Sequence, residues 1–308
     1  MKTGIKSKLI NLVKSLAKLL VIFSIVAVVA SLTGCKELML GILNPKGIVA
    51  LEERKLFFDT LALMLIVVIP VIIMSFAFIY HYRASNNNRD YKPNWSHSFF
   101  LEAIWWAIPC VIIVVLAVMT WNKTHELDPY AQIKGYDKKP MVVQVIALPW
   151  KWLFIYPEQG IATVNYLQIP VNKQVEYQIT ADNVAMSAFF IPQLGSQIYA
   201  MGGMRTKLHL VANHEGEFDG LNTQYNGHGF SEMHFLVKAV TDKDMQKWIK
   251  KIKFSSKPLT ESTYSNLLLP STANKPQYFS GVDSKLFENV ILTYMHTFGN
   301  VHPNQKRA

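Results

Sequence analysis

One segment of the chain has the spacing of a metal-binding loop but few side chains that bind metal. It reads DGLNTQYNGHGFSEMHF, from Asp219 to Phe235, and its glycines permit tight turns. Amides and a phenylalanine occupy its ligand-like positions, and the segment contains no cysteine. Asparagine amides are hard, weak donors for metal ions. We expect a loop that keeps its turns, at Gly220, Gly227 and Gly229, and holds no metal.

Other side chains that could take part in chemistry are few. Four histidines could cluster in a small domain, but we expect surface positions on loops and strand faces for His209, His214, His228 and His234. Glu102 lies near the start of a long apolar run, where a costly carboxylate is by default a functional candidate. Alternatively, Glu102 is favoured by the helix dipole in a first turn and lies at the interface. Asp59, near the outer end of an earlier run, is expected to be interfacial.

The N-terminal segment has the composition of a secretory signal. Five lysines precede a short apolar stretch that ends in Leu-Thr-Gly-Cys, which fits the bacterial lipobox. We expect cleavage before Cys35 and lipid attachment to Cys35, so that residues 1–34 form a lipoprotein signal peptide. Removing those five lysines from the 31 basic residues leaves 26 against 21 acidic ones, so the formal charge of +10 does not indicate nucleic-acid binding.

Two apolar runs are long enough to cross a bilayer, which takes about 20 residues. They cover 56–80 and 99–121, and the prolines inside them, Pro70 and Pro109, are tolerated in membrane helices. Two crossings return the chain to the side on which Cys35 is lipidated. We therefore predict a transmembrane hairpin within residues 35–121 in a bacterial inner membrane. The rest of the chain then lies on the periplasmic or outer side.

Beyond the hairpin the pattern changes to short strands. Between residues 141 and 240, apolar and polar residues alternate as in half-buried strands. The alternation predicts one inward face in QVEYQIT, formed by Val175, Tyr177 and Ile179. It predicts an outward face in MRTKLHL, formed by Arg205, Lys207 and His209. In WKWLFIY it predicts a core face formed by Trp150, Trp152, Phe154 and Tyr156. Turn signals between the strands favour a small antiparallel sandwich or barrel.

The end of the chain has a helical pattern. Thr241 is a predicted cap for the helix TDKDMQKWIKKIK, and SKLFENVILTYM is a second predicted helix. We divide this part of the chain into a periplasmic domain with a trailing helix, 122–254, and an aromatic-rich C-terminal segment, 255–308.

Several strings resemble subunit II of the cytochrome bo-type ubiquinol oxidases, which are haem-copper terminal oxidases. They are NWSHS, WKWLFIYPEQGIATVN, FFIPQLGSQIYAMGGM, the loop described above, and KPQYFSGVDSKLFENVI. The resemblance implies an α+β membrane protein: a two-helix transmembrane hairpin, an all-β cupredoxin-like sandwich and a short helical C-terminal segment. It covers nearly the whole chain.

The resemblance also explains the loop without ligands. In cytochrome c oxidase relatives this domain holds a two-copper centre, bound by two cysteines, a glutamate carbonyl, two histidines and a methionine. The two cysteine positions fall here at Asn222 and Asn226, and the glutamate at Gln224. The loop histidine falls at Phe230, the earlier histidine at Ser187 and the methionine at Met233, so that only the methionine is kept.

By resemblance, the chain is part of a complex that oxidises ubiquinol, reduces oxygen to water and moves protons. The implied partners are oxidase subunits I, III and IV, ubiquinol and membrane lipid. Haems and copper are implied in subunit I, with no catalytic residue or cofactor in this chain. The family places a glutamate like Glu102 at the mouth of a proton-uptake channel shared with subunit I. Two alternatives remain open: a menaquinol oxidase subunit, and a stand-alone membrane-anchored cupredoxin-like lipoprotein.

Overall fold

The computed structural model describes residues 41, 43–83, 94, 96–136, 139–184 and 186–299, with side chains described as far as residue 295. The chain divides into two units, residues 1–44 and 45–308, and nearly all described residues belong to the second. Cys35 and the predicted signal peptide lie outside the described residues.

Two long apolar helices open the second unit. They are α1 (Ile48–His81) and α2 (Phe99–Glu126), and both are long and apolar enough to cross a membrane. At 1.5 Å per residue they measure about 50 and 40 Å, against about 30 Å of bilayer hydrocarbon. Both contain the predicted spans and extend beyond them. At the outer ends of the two helices, the Lys123 ammonium lies 3.0 Å from the Glu52 carboxylate of α1 and 2.7 Å from the Glu126 carboxylate of its own helix, so one ion pair crosses the hairpin.

A β sandwich follows the hairpin. Its strands are β1 (Met141–Leu148), β2 (Lys151–Tyr156), β3 (Ile161–Val164), β4 (Tyr166–Pro170), β5 (Gln174–Ala181), β6 (Ser187–Ile191), β7 (Gly195–Ala200), β8 (Thr206–Val211), β9 (Gly216–Asn222), β10 (His234–Val240) and β11 (Gln277–Phe279). They form a six-stranded sheet in the order β11-β3-β2-β1-β5-β8 and a five-stranded sheet in the order β4-β10-β9-β6-β7.

The predicted purely antiparallel pairing is wrong in one respect. β1 pairs with β5, and β4 with β10, in parallel, while the other strand pairs are antiparallel. The physical reason is that the chain crosses to the other sheet and back between the two strands of each parallel pair, so these partners are distant in sequence. Turn residues reveal where strands end, but they do not reveal which strands pair.

The main core lies between the two sheets. Four aromatic rings meet at its centre, and two of them, Phe189 and Phe235, stack with centroids 5.2 Å apart. Trp152 and Phe154 pack edge-on or tilted against this pair at 5.1–6.4 Å. The inward face predicted for β5 is confirmed, because all three of its predicted residues are fully buried in this core.

The C-terminal segment covers the outer face of the six-stranded sheet. It contains α4 (Glu261–Leu267), β11 and α5 (Leu286–Gly299). The helix before it, α3 (Asp242–Ser255), contributes Met245, Ile249 and Ile252 to the main core. Thr241 caps α3 by accepting a hydrogen bond from Asp244 N–H, as predicted. α4 and α5 contribute Tyr264, Leu267, Phe287, Val290 and Ile291 to a second core against the sheet.

The core face predicted in WKWLFIY is confirmed for Trp152, Phe154 and Tyr156, which are fully buried in the main core, and the opposite face of the strand is buried as well. Every residue of β2 is buried, because Leu153 and Ile155 face the C-terminal segment while the alternate residues face the main core. Trp150 precedes the strand in a left-handed conformation, with φ at 58°, and does not continue the core face.

The start of α1 is fixed to the sandwich by close backbone contacts. The N–H groups of Lys46 and Gly47 donate to Gln193 O at 2.7 and 3.1 Å, and Ala50 N–H donates to Leu194 O at 3.1 Å. Gly195 has φ at 107°, and a Cβ there would lie 2.6 Å from Ala50 N. The outer end of the hairpin and the sandwich therefore form one packed structure.

Candidate functional site

The loop 222–233 lies between β9 and β10, at one end of the sandwich. It contains a short 3-10 helix, Phe230–Glu232, and it brings the ligand-like positions together around Asn222. Asn222 is only 4% exposed. Its side-chain oxygen accepts hydrogen bonds from Ala188 N–H at 2.8 Å and Gln224 N–H at 3.1 Å, and its amide N–H donates to Gln224 O at 2.7 Å. This side chain therefore ties the loop to β6.

Asn226 connects the remaining positions. Its amide nitrogen lies 3.0 Å from the Ser187 hydroxyl and 3.2 Å from the Met233 sulfur, while its amide oxygen is buried without a hydrogen-bond partner. Trp150 donates from its indole N–H to Asn226 O at 3.3 Å. Four of the six positions that bind copper in the relatives, at 187, 222, 226 and 233, thus share one small region. Hydrogen bonds now connect them.

The remaining two positions do not point to a metal. The Phe230 ring packs against Tyr225, with centroids 5.7 Å apart, and the backbone of Gln224 is engaged by Asn222. Two amides, a hydroxyl and a thioether do not make the thiolate and imidazole set that copper prefers. In the part of the chain that the structure describes, no group of three or more His, Cys, Asp or Glu side chains is placed to hold a metal ion.

Close packing requires two of the three predicted turn glycines, Gly220 in β9 and Gly229 in the loop. A Cβ on Gly220 would lie 2.1 Å from the Phe235 ring, and one on Gly229 would lie 2.4 Å from the Trp150 ring and 2.6 Å from Thr272. Of the three, only Gly227 has positive φ, at 112°. The prediction of turn glycines is therefore correct for Gly227, whereas the other two allow aromatic rings to approach the backbone.

Substitution of Asn222 is expected to destabilise the domain. Asn222→Ala leaves two backbone N–H groups and one carbonyl without their partner in a buried place, which costs about 1–3 kcal/mol of the free energy of unfolding. Thermal melting of the full-length chain in detergent, followed by tryptophan fluorescence, measures the change. Asn266→Ala, at an exposed position on α4, is the matched control and should stay within about 0.5 kcal/mol. Equal melting temperatures for the two variants would contradict the role assigned to Asn222.

The four histidines do not come together in one metal-binding group. His214, His228 and His234 are exposed, as predicted. His209 is only 4% exposed, so its predicted outward position is wrong. The segment before β1 covers this strand face, and the His209 Nδ1–H donates to Pro129 O at 3.0 Å, while Nε2 lies 3.5 Å from the Glu176 carboxylate.

Glu102 lies in the first turn of α2, and its side chain is exposed on the isolated chain. The N-cap residue Ser98 makes no side-chain cap, so the helix N-terminus keeps free N–H groups near Glu102. This geometry is compatible with both interpretations of Glu102, and its role stays a prediction. Asp59 is exposed on α1.

Two polar contacts that hold the C-terminal segment were not found from the sequence. Lys151 is only 1% exposed, and its ammonium donates to the carbonyls of Leu267 and Leu269 at 2.9 and 2.7 Å. Burial lowers the pKa of Lys151. Asp182 accepts hydrogen bonds from the hydroxyls of Tyr264 and Tyr294. Burial, followed by the Asp182 charge, raises the pKa of Tyr264. The sequence signal that could have indicated the first of these contacts is Lys151 itself, a charged residue inside an apolar strand.

The fold and the loop together define a class: a membrane-anchored subunit II of the haem-copper oxidases. Three family profiles match the chain. They are the transmembrane domain of cytochrome c oxidase subunit II over residues 46–122, the periplasmic domain of that subunit over 157–240, and the COX aromatic-rich motif over 253–297.

Relatives that match most of this chain show which kind of oxidase subunit it resembles. The chain is 50% identical to cytochrome bo(3) ubiquinol oxidase subunit 2 of Pseudomonas aeruginosa, over 86% of this chain and 78% of the relative. It is 46% identical to ubiquinol oxidase subunit 2 of Acetobacter aceti, over 85% and 84%. It is 36% identical to quinol oxidase subunit 2 of Bacillus subtilis, over 85% and 81%. The chain belongs to the quinol oxidase subunit 2 family, and it is anchored in the membrane with a periplasmic C-terminal domain.

Proposed function

We propose that this chain is the copper-free subunit II of a proton-translocating oxidase that oxidises ubiquinol and reduces oxygen to water. The observation that carries the proposal is the loop, in which Asn222, Asn226 and Phe230 stand where copper-bearing relatives have two cysteines and a histidine. Without thiolates, this domain has no means of taking electrons from a cytochrome through a two-copper centre. Electrons would enter the complex from a quinol at another subunit.

In this proposal the redox chemistry belongs to subunit I, which would carry the haems and the copper. This chain would help the complex assemble, cap the outer face of subunit I, and contribute Glu102 to a proton entrance on the inner side. Subunits III and IV would complete the complex. Fixing the start of α1 to the sandwich supports a capping role, because it holds the periplasmic domain in place above the membrane.

Ubiquinol is preferred to menaquinol as the substrate of the complex. The two more similar relatives described above are named ubiquinol oxidase subunits, and the more distant one is named only a quinol oxidase subunit. A stand-alone lipoprotein is disfavoured, because a carrier does not need two full membrane spans.

Purification from native membranes tests the proposal. The expected result is a complex that contains haem and ubiquinone, consumes oxygen with ubiquinol, and lacks the near-infrared absorption of a mixed-valence two-copper centre. Recovery of the chain alone, without haem, would favour the lipoprotein alternative. A near-infrared band assigned to this chain by copper titration would overturn the copper-free assignment.

Lipid attachment at Cys35 is a separate proposal and concerns a residue outside those described. Cys35→Ser should abolish acyl labelling and leave the precursor unprocessed. The variant should remain in the membrane with most of its oxidase activity, because helix insertion greatly exceeds the membrane affinity of acyl chains. Retention of acyl label would refute attachment at this cysteine, and release from the membrane would contradict the two-span anchor.

A further inference from the structure

A cleft of about 530 Å³ lies where the outer ends of α1 and α2 meet the periplasmic domain. This volume is within the range of small-molecule sites. Its walls combine apolar side chains, from Ile48, Val49, Leu127 and Ile133, with charged and polar groups. Neither the proposed quinol chemistry nor the proposed proton entrance uses this cleft.

The depth of the cleft follows from the helix rise. The apolar run of α1 begins at Leu56, so Glu52 lies about 6 Å further out along the helix. The apolar run of α2 ends at Trp121, so Glu126 lies about 7.5 Å further out. The headgroup layer of one leaflet is about 5–8 Å thick. Both glutamates line the cleft, so the cleft lies just outside the apolar runs of the two helices, on the headgroup side of the membrane.

The charges in the cleft are of two kinds. Glu52 and Glu126 are already paired with Lys123. Asp128 and Lys134, which also line the cleft, make no ion pair with any other described residue, although one Asp128 oxygen accepts the N–H of Tyr130 at 2.9 Å. One carboxylate and one ammonium therefore remain to meet a ligand that has both charges.

We propose that this cleft binds the headgroup of a zwitterionic phospholipid with a primary amine, phosphatidylethanolamine. Lys134 pairs with the phosphate. Asp128 accepts hydrogen bonds from the ammonium, which a choline group cannot donate. The apolar walls contact the glycerol and the first carbons of the acyl chains. A lipid bound here would seal the junction between hairpin and sandwich against water.

Native mass spectrometry of the purified oxidase tests the site. The complex is reconstituted in nanodiscs of equal parts phosphatidylethanolamine and phosphatidylglycerol and then released, and the retained lipids are counted. The wild-type complex should retain phosphatidylethanolamine in excess over phosphatidylglycerol. Asp128→Asn should bring the retained ratio down to that of the bilayer, since the carboxylate selects the amine. Lys134→Ala should reduce both retained lipids, since the phosphate is common to both.

Matched controls separate the site from general charge effects. Asp283, like Asp128, is exposed and accepts the N–H of the residue two positions later at 2.9 Å, so Asp283→Asn should leave the lipids unchanged. Lys253→Ala, at an exposed position on α3, is the control for Lys134→Ala. Haem content confirms that each variant assembles. If either charge variant fails to assemble, Ala131→Trp, which fills the cleft without changing charge, should remove the retained phosphatidylethanolamine.

Two outcomes would overturn the proposal. In the first, retained lipid is the same in the wild type, the two charge variants and Ala131→Trp. In the second, the variants lose a partner subunit while their retained lipid stays unchanged, which would show that protein and not lipid occupies the cleft.

Discussion

Glu102→Gln is expected to slow quinol-driven oxygen consumption to about a tenth of the wild-type rate, equivalent to about 1.4 kcal/mol of barrier. Glutamine keeps the shape and hydrogen bonding of the side chain but cannot take up and release a proton. Glu102→Asp keeps the acid on a shorter stem and should retain more activity. The measurement is oxygen consumption per haem, with haem content and subunit composition determined in parallel.

The alternative for Glu102 predicts a different result. If this carboxylate only interacts with the dipole of α2, its loss should cost at most about 1 kcal/mol of stability and leave turnover unchanged. Asp59→Asn is the matched control, because Asp59 is another exposed carboxylate on a membrane helix but lies near the opposite end of the hairpin. Wild-type rates in both Glu102 variants would leave Glu102 as an interfacial residue. Equal slowing by Asp59→Asn would point to a general effect of membrane carboxylates.

Restoring the ligands of the copper-bearing relatives is expected to convert the loop from no copper binding to stoichiometric binding. The variant carries five substitutions: Ser187→His, Asn222→Cys, Gln224→Glu, Asn226→Cys and Phe230→His. The contacts of Asn226 with Ser187 at 3.0 Å and Met233 at 3.2 Å show that the backbone still brings these positions together. Copper content and near-infrared absorption of the purified complex measure the result.

The same variant should be unstable until metal is added. It loses the hydrogen bonds of Asn222, and copper then replaces them as the cross-link between the loop and β6. Copper at 100 times its dissociation constant should stabilise the variant by about 2.7 kcal/mol and leave the wild-type melting temperature unchanged. A control that keeps Asn222 and Asn226 but carries the other three substitutions should stay colourless. A folded but colourless five-substitution product would show that the loop no longer presents the ligand geometry, with the Phe230 position the first to examine.

The sequence by itself determined the features that depend on local pattern. Two apolar runs specify membrane helices because the bilayer sets a minimum length. The alternation in β5 specifies its buried face, and Thr241 specifies the start of α3, because both depend only on residues close in the chain. The absence of cysteine from the loop predicts the loss of the two-copper centre.

Only the tertiary structure decided what covers each surface. A period of two shows that His209 and Lys207 share a face, but burial of His209 depends on a segment 80 residues earlier. Lys151 is tolerated inside β2 because carbonyls from the C-terminal segment accept its hydrogen bonds, and those carbonyls come from residues more than 110 positions away. The parallel pairs β1–β5 and β4–β10 likewise join segments that are distant in sequence. Local sequence sets the direction in which a side chain points, whereas burial and pairing are set by free energies of contact between segments that only folding brings together.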